Sequence, residues 1–296
     1  MIKVENLRKA YGDLLAVNGL SFEVARGETF GLLGPNGAGK TTTILMLAGS
    51  IHSDEGSINL NGQSDPTQSE VRRQIGVAPQ SLSLYDELSG EENLTFFGRL
   101  YGLSGAGLKE RVVHCLDLVG LTERKDDYIG TYSGGMKRRL NLACALVHDP
   151  PILFLDEPTA GVDPQSRNHL FDQIEKLTRE GRTILYTTHY MEEAQRLCDR
   201  IAIMDHGRIL ASGTVDELIA KHGGQSVVIA DLEKPPTAGV SLPGIIEGTT
   251  LRVESDRPFE VAARLNASGV SIRTLKIDQP DLETVFLSLT GRRLRD

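Results

Sequence analysis

Three cysteines in 296 residues, Cys115, Cys144 and Cys198, stand at unrelated spacings in helix-like segments, which excludes both a disulfide framework and a zinc pattern. They are expected to be reduced residues in or near a core. No apolar run approaches the ~18 residues of a membrane-spanning helix, and Met1-Ile2-Lys3-Val4-Glu5 lacks the apolar stretch of a signal peptide. A soluble, cytoplasmic chain is the expectation. Positive charge is also scarce, with 32 Lys and Arg against 40 Asp and Glu and a formal net charge of −8, which argues against a broad nucleic-acid footprint. The one basic cluster, Lys137-Arg138-Arg139, reads as a solvated helix face. Heptad repeats are missing, so a long coiled coil is excluded. A hydrophobic content of 40% provides instead for one large or two smaller globular domains.

From residue 1 to about 222 short apolar runs alternate with helix-period segments, the pattern of an α/β domain with parallel strands. Thr29 to Leu33, Ile75 to Ala78, Ile152 to Leu155, Thr183 to Tyr186 and Arg200 to Met204 read as buried strands. The stretch from about 84 to 148 carries no strand signal and is expected to be an inserted helical subdomain. Ser89-Gly90-Glu91-Glu92 is a capping box opening one of its helices, and Leu108, Val112, Leu116 and Val119 form the stripe of another. Thr214-Val215-Asp216-Glu217 is a second capping box, opening the last helix of this main domain. After Gly223-Gly224 the texture changes, and residues 225–296 read as a small α+β domain. Strand-like runs at 227–230, 250–253 and 272–277 surround a loop with Pro235, Pro236 and Pro243, a helical phrase spans 258–265, and 282–287 forms an apolar closing helix. That helix needs a surface, either its own small sheet or a partner subunit.

Gly34-Pro35-Asn36-Gly37-Ala38-Gly39-Lys40-Thr41-Thr42 fits G-x-x-x-x-G-K-[ST], with an apolar strand before it and a helix after it. Backbone N–H groups of such a loop close around phosphate oxygens, a helix N-terminus and Lys40 add positive charge, and the Thr41 hydroxyl can ligate Mg²⁺. A nucleoside triphosphate is the expected ligand. Kinases, GTPases and motors share such loops, so the accompanying elements decide. Pro79-Gln80 ends a strand, as an ordinary loop residue or as a side chain reaching a metal or an attacking water. Ser133-Gly134-Gly135 precedes an apolar-periodic helix, as an ordinary cap or as a second anion site. The strand Ile152 to Leu155 ends in Asp156-Glu157-Pro158, and parallel strands deliver such carboxylates to the edge where the phosphate loop lies. There Asp156 can hold Mg²⁺ through water and Glu157 can polarise the water that attacks the γ-phosphate. His189 follows the next strand, as a structural residue or as a group that bonds the γ-phosphate or holds the base carboxylate. Asp163-Pro164 reads as a helix N-cap followed by a first-turn proline.

In this order the elements resemble the ATP-binding cassette (ABC) transporter ATPases over residues 1 to about 222. The resemblance implies that Tyr11 stacks on adenine, that Gly34 to Thr42 is the Walker A loop, and that Gln80 belongs to the Q-loop. It implies that Ser133, Gly134 and Gly135 are the core of a signature closing over ATP held by the opposite subunit. Asp156 and Glu157 match the Walker B aspartate and catalytic glutamate, Asp163 the D-loop aspartate and His189 the switch histidine. Thr41, Gln80 and Asp156 would then hold Mg²⁺, with ATP as the nucleotide. Tyr132 and Met136 depart from the commoner Leu and Gln, and Cys144 stands where many relatives carry arginine. The runs Ser133 to Leu140, Thr187 to Ala194 and Leu282 to Gly291 resemble the ABC-2 export branch, which includes daunorubicin-resistance-type and nodulation lipo-oligosaccharide exporters. Such a protein would be an ATPase acting as a homodimer or pseudo-dimer on a separate integral-membrane permease, at the cytoplasmic face of the cell membrane. A drug, lipid or glycan-like substrate is implied. The alternative is a soluble ABC-type switch, whose translation relatives carry two cassettes and whose DNA-maintenance relatives carry a long coiled coil; this chain has neither.

Overall fold

The computed structural model describes residues 1–234, 242–292 and 294. The chain divides into two compact units, Met1–Thr214 and a second beginning at Val215.

The first unit is built on β1 (Ile2–Tyr11), β2 (Leu14–Val24), β3 (Thr29–Leu33), α1 (Lys40–Leu47), β4 (Glu55–Leu60), α2 (Ser69–Arg72) and β5 (Ile75–Ala78). There follow α3 (Gly90–Leu100), α4 (Gly105–Leu118), α5 (Gly134–Leu146), β6 (Ile152–Asp156), α6 (Pro164–Arg179), β7 (Thr183–Thr188), α7 (Met191–Leu197), β8 (Arg200–Asp205) and β9 (Arg208–Gly213). Six strands form one sheet in the order β5-β6-β7-β3-β8-β9. The first five are parallel and β9 turns back antiparallel to β8. Every residue of β3, β6 and β7 is buried, which is why these segments read as unbroken apolar runs rather than as an alternation. The pairs Leu33↔Thr188, Asp156↔Thr187 and Ala78↔Leu155 align the carboxyl ends of β3, β7, β6 and β5. That alignment brings the loops after residues 33, 78, 156 and 188 to one edge.

Beside the expected parallel-strand core stands a second sheet, β2-β1-β4, which is antiparallel. Its signal is period-two: Ile2 and Val4 are buried while Lys3 and Glu5 are exposed, the mark of a sheet with one wet face. The stretch from 84 to 148 holds α3, α4 and α5, with short 3₁₀ turns at Thr122–Arg124 and Ile129–Thr131. The Ser89 side chain accepts from the Glu92 amide while the Glu92 carboxylate accepts from the Ser89 amide, a complete capping box. Leu108, Val112, Leu116 and Val119 are all buried, together with Cys115. Cys115 and Cys144 are buried and Cys198 partly so, all as free thiols, and burial pushes the Cys115 thiol up to about 11.

The second unit holds α8 (Val215–His222), β10 (Ser226–Leu232), β11 (Ile245–Glu247), β12 (Thr250–Ser255), α9 (Pro258–Ala267), β13 (Ile272–Asp278) and α10 (Leu282–Thr290). The boundary expected near 222 falls instead at Thr214, so the helix opened by Thr214-Val215-Asp216-Glu217 groups with the C-terminal part. An antiparallel sheet in the order β11-β12-β10-β13 includes the short β11 that the sequence did not suggest. Val261 and Leu265 of α9 close a core with Val228, Ala230, Leu251 and Val253. The closing helix α10 buries Leu282, Val285 and Phe286 and packs against α8 rather than on its own small sheet. An amphipathic helix needs one apolar surface, and here another helix of the same unit supplies it. Pro235 and Pro236 lie outside the described residues.

Candidate active site

The phosphate loop leaves β3 with the Gly34 amide donating to the Thr188 carbonyl at 3.2 Å, which ties it to the end of β7. Two of its glycines are demanded by close approach: a Cβ on Gly34 would stand 2.1 Å from the Met204 carbonyl oxygen, and one on Gly39 would stand 2.3 Å from that of Ala16. Gly39 caps α1 with no side chain on the free amides, and the first turn of α1 carries no acidic residue. An anion finds open N–H groups and the positive end of the helix dipole there. Tyr11, 48% exposed, and Leu14 line a cleft of about 330 Å³ together with Lys40, Thr41, Thr42, Gln80 and Glu157.

Lys40 is buried, and its Nζ donates to the carbonyls of Gly34 (2.7 Å) and Pro35 (3.0 Å) and lies 3.1 Å from Oε1 of Glu157. The other oxygen of Glu157, Oε2, is 3.1 Å from His189 Nδ1 and accepts from Gln80 Nε2 at 3.2 Å. One carboxylate thus collects the loop lysine, a residue two past β5 and the residue directly after β7. Glu157 holds a left-handed backbone with φ 43°, a conformation that costs a non-glycine residue about 1 kcal/mol or more. Its amide is anchored by the Thr187 carbonyl at 3.2 Å and the Thr187 Oγ1 at 3.0 Å.

Asp156 accepts from Thr187 Oγ1 at 2.6 Å. Burial raises its carboxyl above the usual carboxylate range, against the opposing pull of the Thr187 and Thr41 hydroxyls. Among the described residues no cluster of three or more His, Cys, Asp or Glu could cage a metal. A hydroxyl, an amide and one carboxylate converging on a phosphate site fit instead a hard cation that arrives with the nucleotide and keeps its waters.

The remaining expected residues lie elsewhere on the unit. Ser133 caps α5, its Oγ accepting from the Met136 amide at 3.2 Å, and with Gly134 it is exposed and does not line the cleft. Asp163 caps α6 by accepting from the Gln165 and Ser166 amides at 3.1 and 3.0 Å, and these hydrogen bonds hold its carboxyl below the usual range. Tyr132 turns inward and donates its hydroxyl to the Arg124 carbonyl at 2.6 Å, Met136 packs on the core from its rim, and Cys144 is within it. The basic cluster is not a solvated face. Lys137 pairs with Asp86 at 2.8 Å, Arg138 donates to the carbonyls of Gln80 and Ala160, and Arg139 donates to those of Val119 and Gly120. Thr187, which orients both acids, escaped the sequence reading because a threonine inside a strand carries no signal beyond its β-propensity.

The sequence profile of the family described as "ABC transporter" matches residues 17–160. Across its whole length the chain is 42% identical to the linearmycin resistance ATP-binding protein LnrL of Bacillus subtilis (strain 168), covering 100% of both. It is 44% identical to the Nod factor export ATP-binding protein I of Burkholderia lata, covering 100% of this chain and 98% of that one. Among solved structures, an ATP-binding subunit of an ABC transporter is similar at TM-score 0.68 with 33% identity, over 75% of this chain and 93% of that one. The dimeric structure of MJ0796, a bacterial ABC transporter cassette, is similar at TM-score 0.67 with 26% identity, over 72% and 98%.

Proposed function

The chain belongs to the ABC transporter family as one of its ATP-binding, ATP-hydrolysing subunits, and from that premise we propose that it powers an ABC-2 type exporter. Two copies, or one copy and a similar subunit, work on a separate integral-membrane permease at the cytoplasmic face of the membrane. The exported cargo is a drug, lipid or glycan-like molecule. The observation that carries this reading is full-length identity, C-terminal unit included, to subunits named for linearmycin resistance and for Nod factor export. None of the described helices is long and apolar enough to cross a membrane.

In the cycle we infer, Tyr11 offers its exposed ring to adenine and the amides of residues 34–42 take the phosphates. Lys40 leaves Glu157 for the β/γ-phosphate oxygens. Thr41, Gln80 and Asp156 would hold Mg²⁺, which supplies neutralisation of the phosphate charge when bound. Released from Lys40, Glu157 polarises the attacking water, while His189 keeps the carboxylate oriented and faces the γ-phosphate. Ser133, Gly134 and Asp163 are exposed, Gly135 is buried beside them, and none of the four lines the cleft, which supports their assignment to the ATP of the opposite subunit.

Mixing variants tests the arrangement. Ser133→Arg and Glu157→Gln subunits should each be inactive alone, yet their heterodimer has one site with both lesions and one with neither, so activity should return. Proven heterodimers that stay inactive would overturn the shared-site reading.

A further inference from the structure

Glu193 is a fully buried carboxylate, 0% exposed, that the hydrolytic scheme does not use. Burying a charge is costly unless it is paired and hydrogen-bonded, and Glu193 is saturated. Its Oε1 accepts from Thr159 Oγ1 at 2.7 Å and meets Arg167 Nε at 3.2 Å. Its Oε2 accepts from the Tyr186 hydroxyl and from Thr188 Oγ1, each at 2.8 Å. The places of these donors matter more than their number. Thr159 lies two residues past Glu157, Thr188 directly precedes His189, and Arg167 stands one helical turn beyond Asp163 on α6. Thr188 Oγ1 also accepts from the Tyr190 amide at 2.9 Å, so both backbone neighbours of His189 are tied to the same hydroxyl. The Arg167 guanidinium lies 5.3 Å from the centre of the Tyr190 ring, a further tie to that turn.

Resting on the site reading above, we propose that Glu193 is a positioning residue that braces the Glu157–His189 contact from behind and, through Arg167, links it to the loop of Asp163. The two oxygens of one rigid side chain fix the strand exits that carry the base and the histidine. A shift of α6, the helix capped by Asp163, reaches Glu193 through the Arg167 ion pair and from there moves both exits together. The position of the Asp163 loop, which faces the second subunit in the proposed dimer, thereby sets whether the 3.1 Å contact of Glu157 with His189 is made. A misplacement of about 1 Å in such a site is enough to cost ~10²-fold in rate.

The test is steady-state ATP hydrolysis by the full chain, with ATP affinity and thermal unfolding measured on the same preparations. Glu193→Gln keeps the shape but replaces one acceptor by a donor that faces hydroxyls. The expected result is a fall in kcat of about tenfold or more with ATP affinity changed by less than about twofold, since the phosphate loop is untouched. Thr188→Val, which deletes one hydroxyl, is expected to do the same more mildly and keeps the proposal testable should Glu193→Gln fail to fold. In a His189→Ala background, adding either substitution should change the residual rate by less than about twofold, because the contact they set is already gone. An equal fold-loss in both backgrounds, or a fall in ATP affinity that tracks the fall in rate, would reduce Glu193 to fold maintenance. Normal turnover in Glu157→Gln and His189→Ala would instead sink the site reading itself, whatever Glu193 does.

Discussion

Lys40 and Glu157 meet as a buried ion pair across the phosphate cleft, 3.1 Å apart, with side chains only 4% and 6% exposed. The residue expected to neutralise phosphate and the residue expected to activate water are therefore in direct contact with one another. Entry of a nucleotide must exchange one anion for another at Lys40.

That exchange makes Glu157→Gln informative about binding as well as about turnover. Removing the carboxylate removes the competitor for Lys40 and a like charge near the γ-phosphate. ATP affinity in a binding titration should rise several-fold while hydrolysis falls by about 10² or more, in the range for loss of a positioned general base. An affinity below that of the wild type would contradict the exchange.

Gly134 and Gly135 should separate sharply under substitution by alanine. A Cβ on Gly135 would stand 2.2 Å from Ser166 Oγ, so Gly135→Ala must disturb the packing of α5 on α6. A Cβ on Gly134 meets nothing nearer than the Gly161 carbonyl at 4.0 Å. By helix propensity Gly134→Ala should be neutral or stabilising by up to about 1 kcal/mol in urea unfolding. Any loss of hydrolysis in that stable variant then reports the nucleotide of the other subunit, and full activity would remove Gly134 from the signature role.

His148 gives stability a pH dependence unrelated to catalysis. Its ring stacks on Tyr101 with centroids 3.5 Å apart, Nε2–H donates to the Ile75 carbonyl at 3.0 Å, and Nδ1 is buried without a partner. Burial pulls its pKa down from 6.5 to about 4, so below pH 6.5 the unfolded chain takes up a proton that the native chain refuses. Its contribution is complete above pH 6.5 and declines as pH falls, by up to about 3 kcal/mol near pH 4. Asp156, raised by burial, has the opposite slope, binding its proton more readily when folded. Urea unfolding at pH 7 and pH 4.5 should show a smaller acid loss in His148→Gln than in the wild type; equal losses would refute the assignment.

Truncation should respect the boundary at Thr214 rather than the Gly223-Gly224 pair. All residues assigned to the nucleotide lie before residue 190, so a chain ending at Thr214 is expected to bind ATP with wild-type affinity. A chain ending at Gly223 keeps α8 but removes α10, exposing Leu218, which is 2% exposed in the whole chain. It should aggregate or unfold at lower temperature than the shorter form. The reverse order of stability would show that α8 does not need α10.

The sequence by itself determined the buried parallel strands, the glycine-rich loop, the caps at Ser89, Ser133 and Asp163, and which residues would stand around that loop. Each of these is a local matter, settled by side-chain period, by glycine where backbone must come close, and by short hydrogen bonds within a turn. Strand register then carried Lys40, Gln80, Glu157 and His189 to one edge; the sequence could anticipate the edge and a hold of His189 on the Glu157 carboxylate, but not the meeting of Lys40 with Glu157. That Lys40 is spent on Glu157, that Arg138 and Arg139 are spent on carbonyls, and that Glu193 gathers three hydroxyls and a guanidinium depend on atoms distant in sequence. The same holds for α10, whose apolar stripe announced that it would be buried while only packing chose α8 as its cover. An apolar face specifies that water must be excluded, and a charge specifies that a partner must be found; which surface and which partner is decided by the tertiary arrangement, because neither force carries an address along the chain.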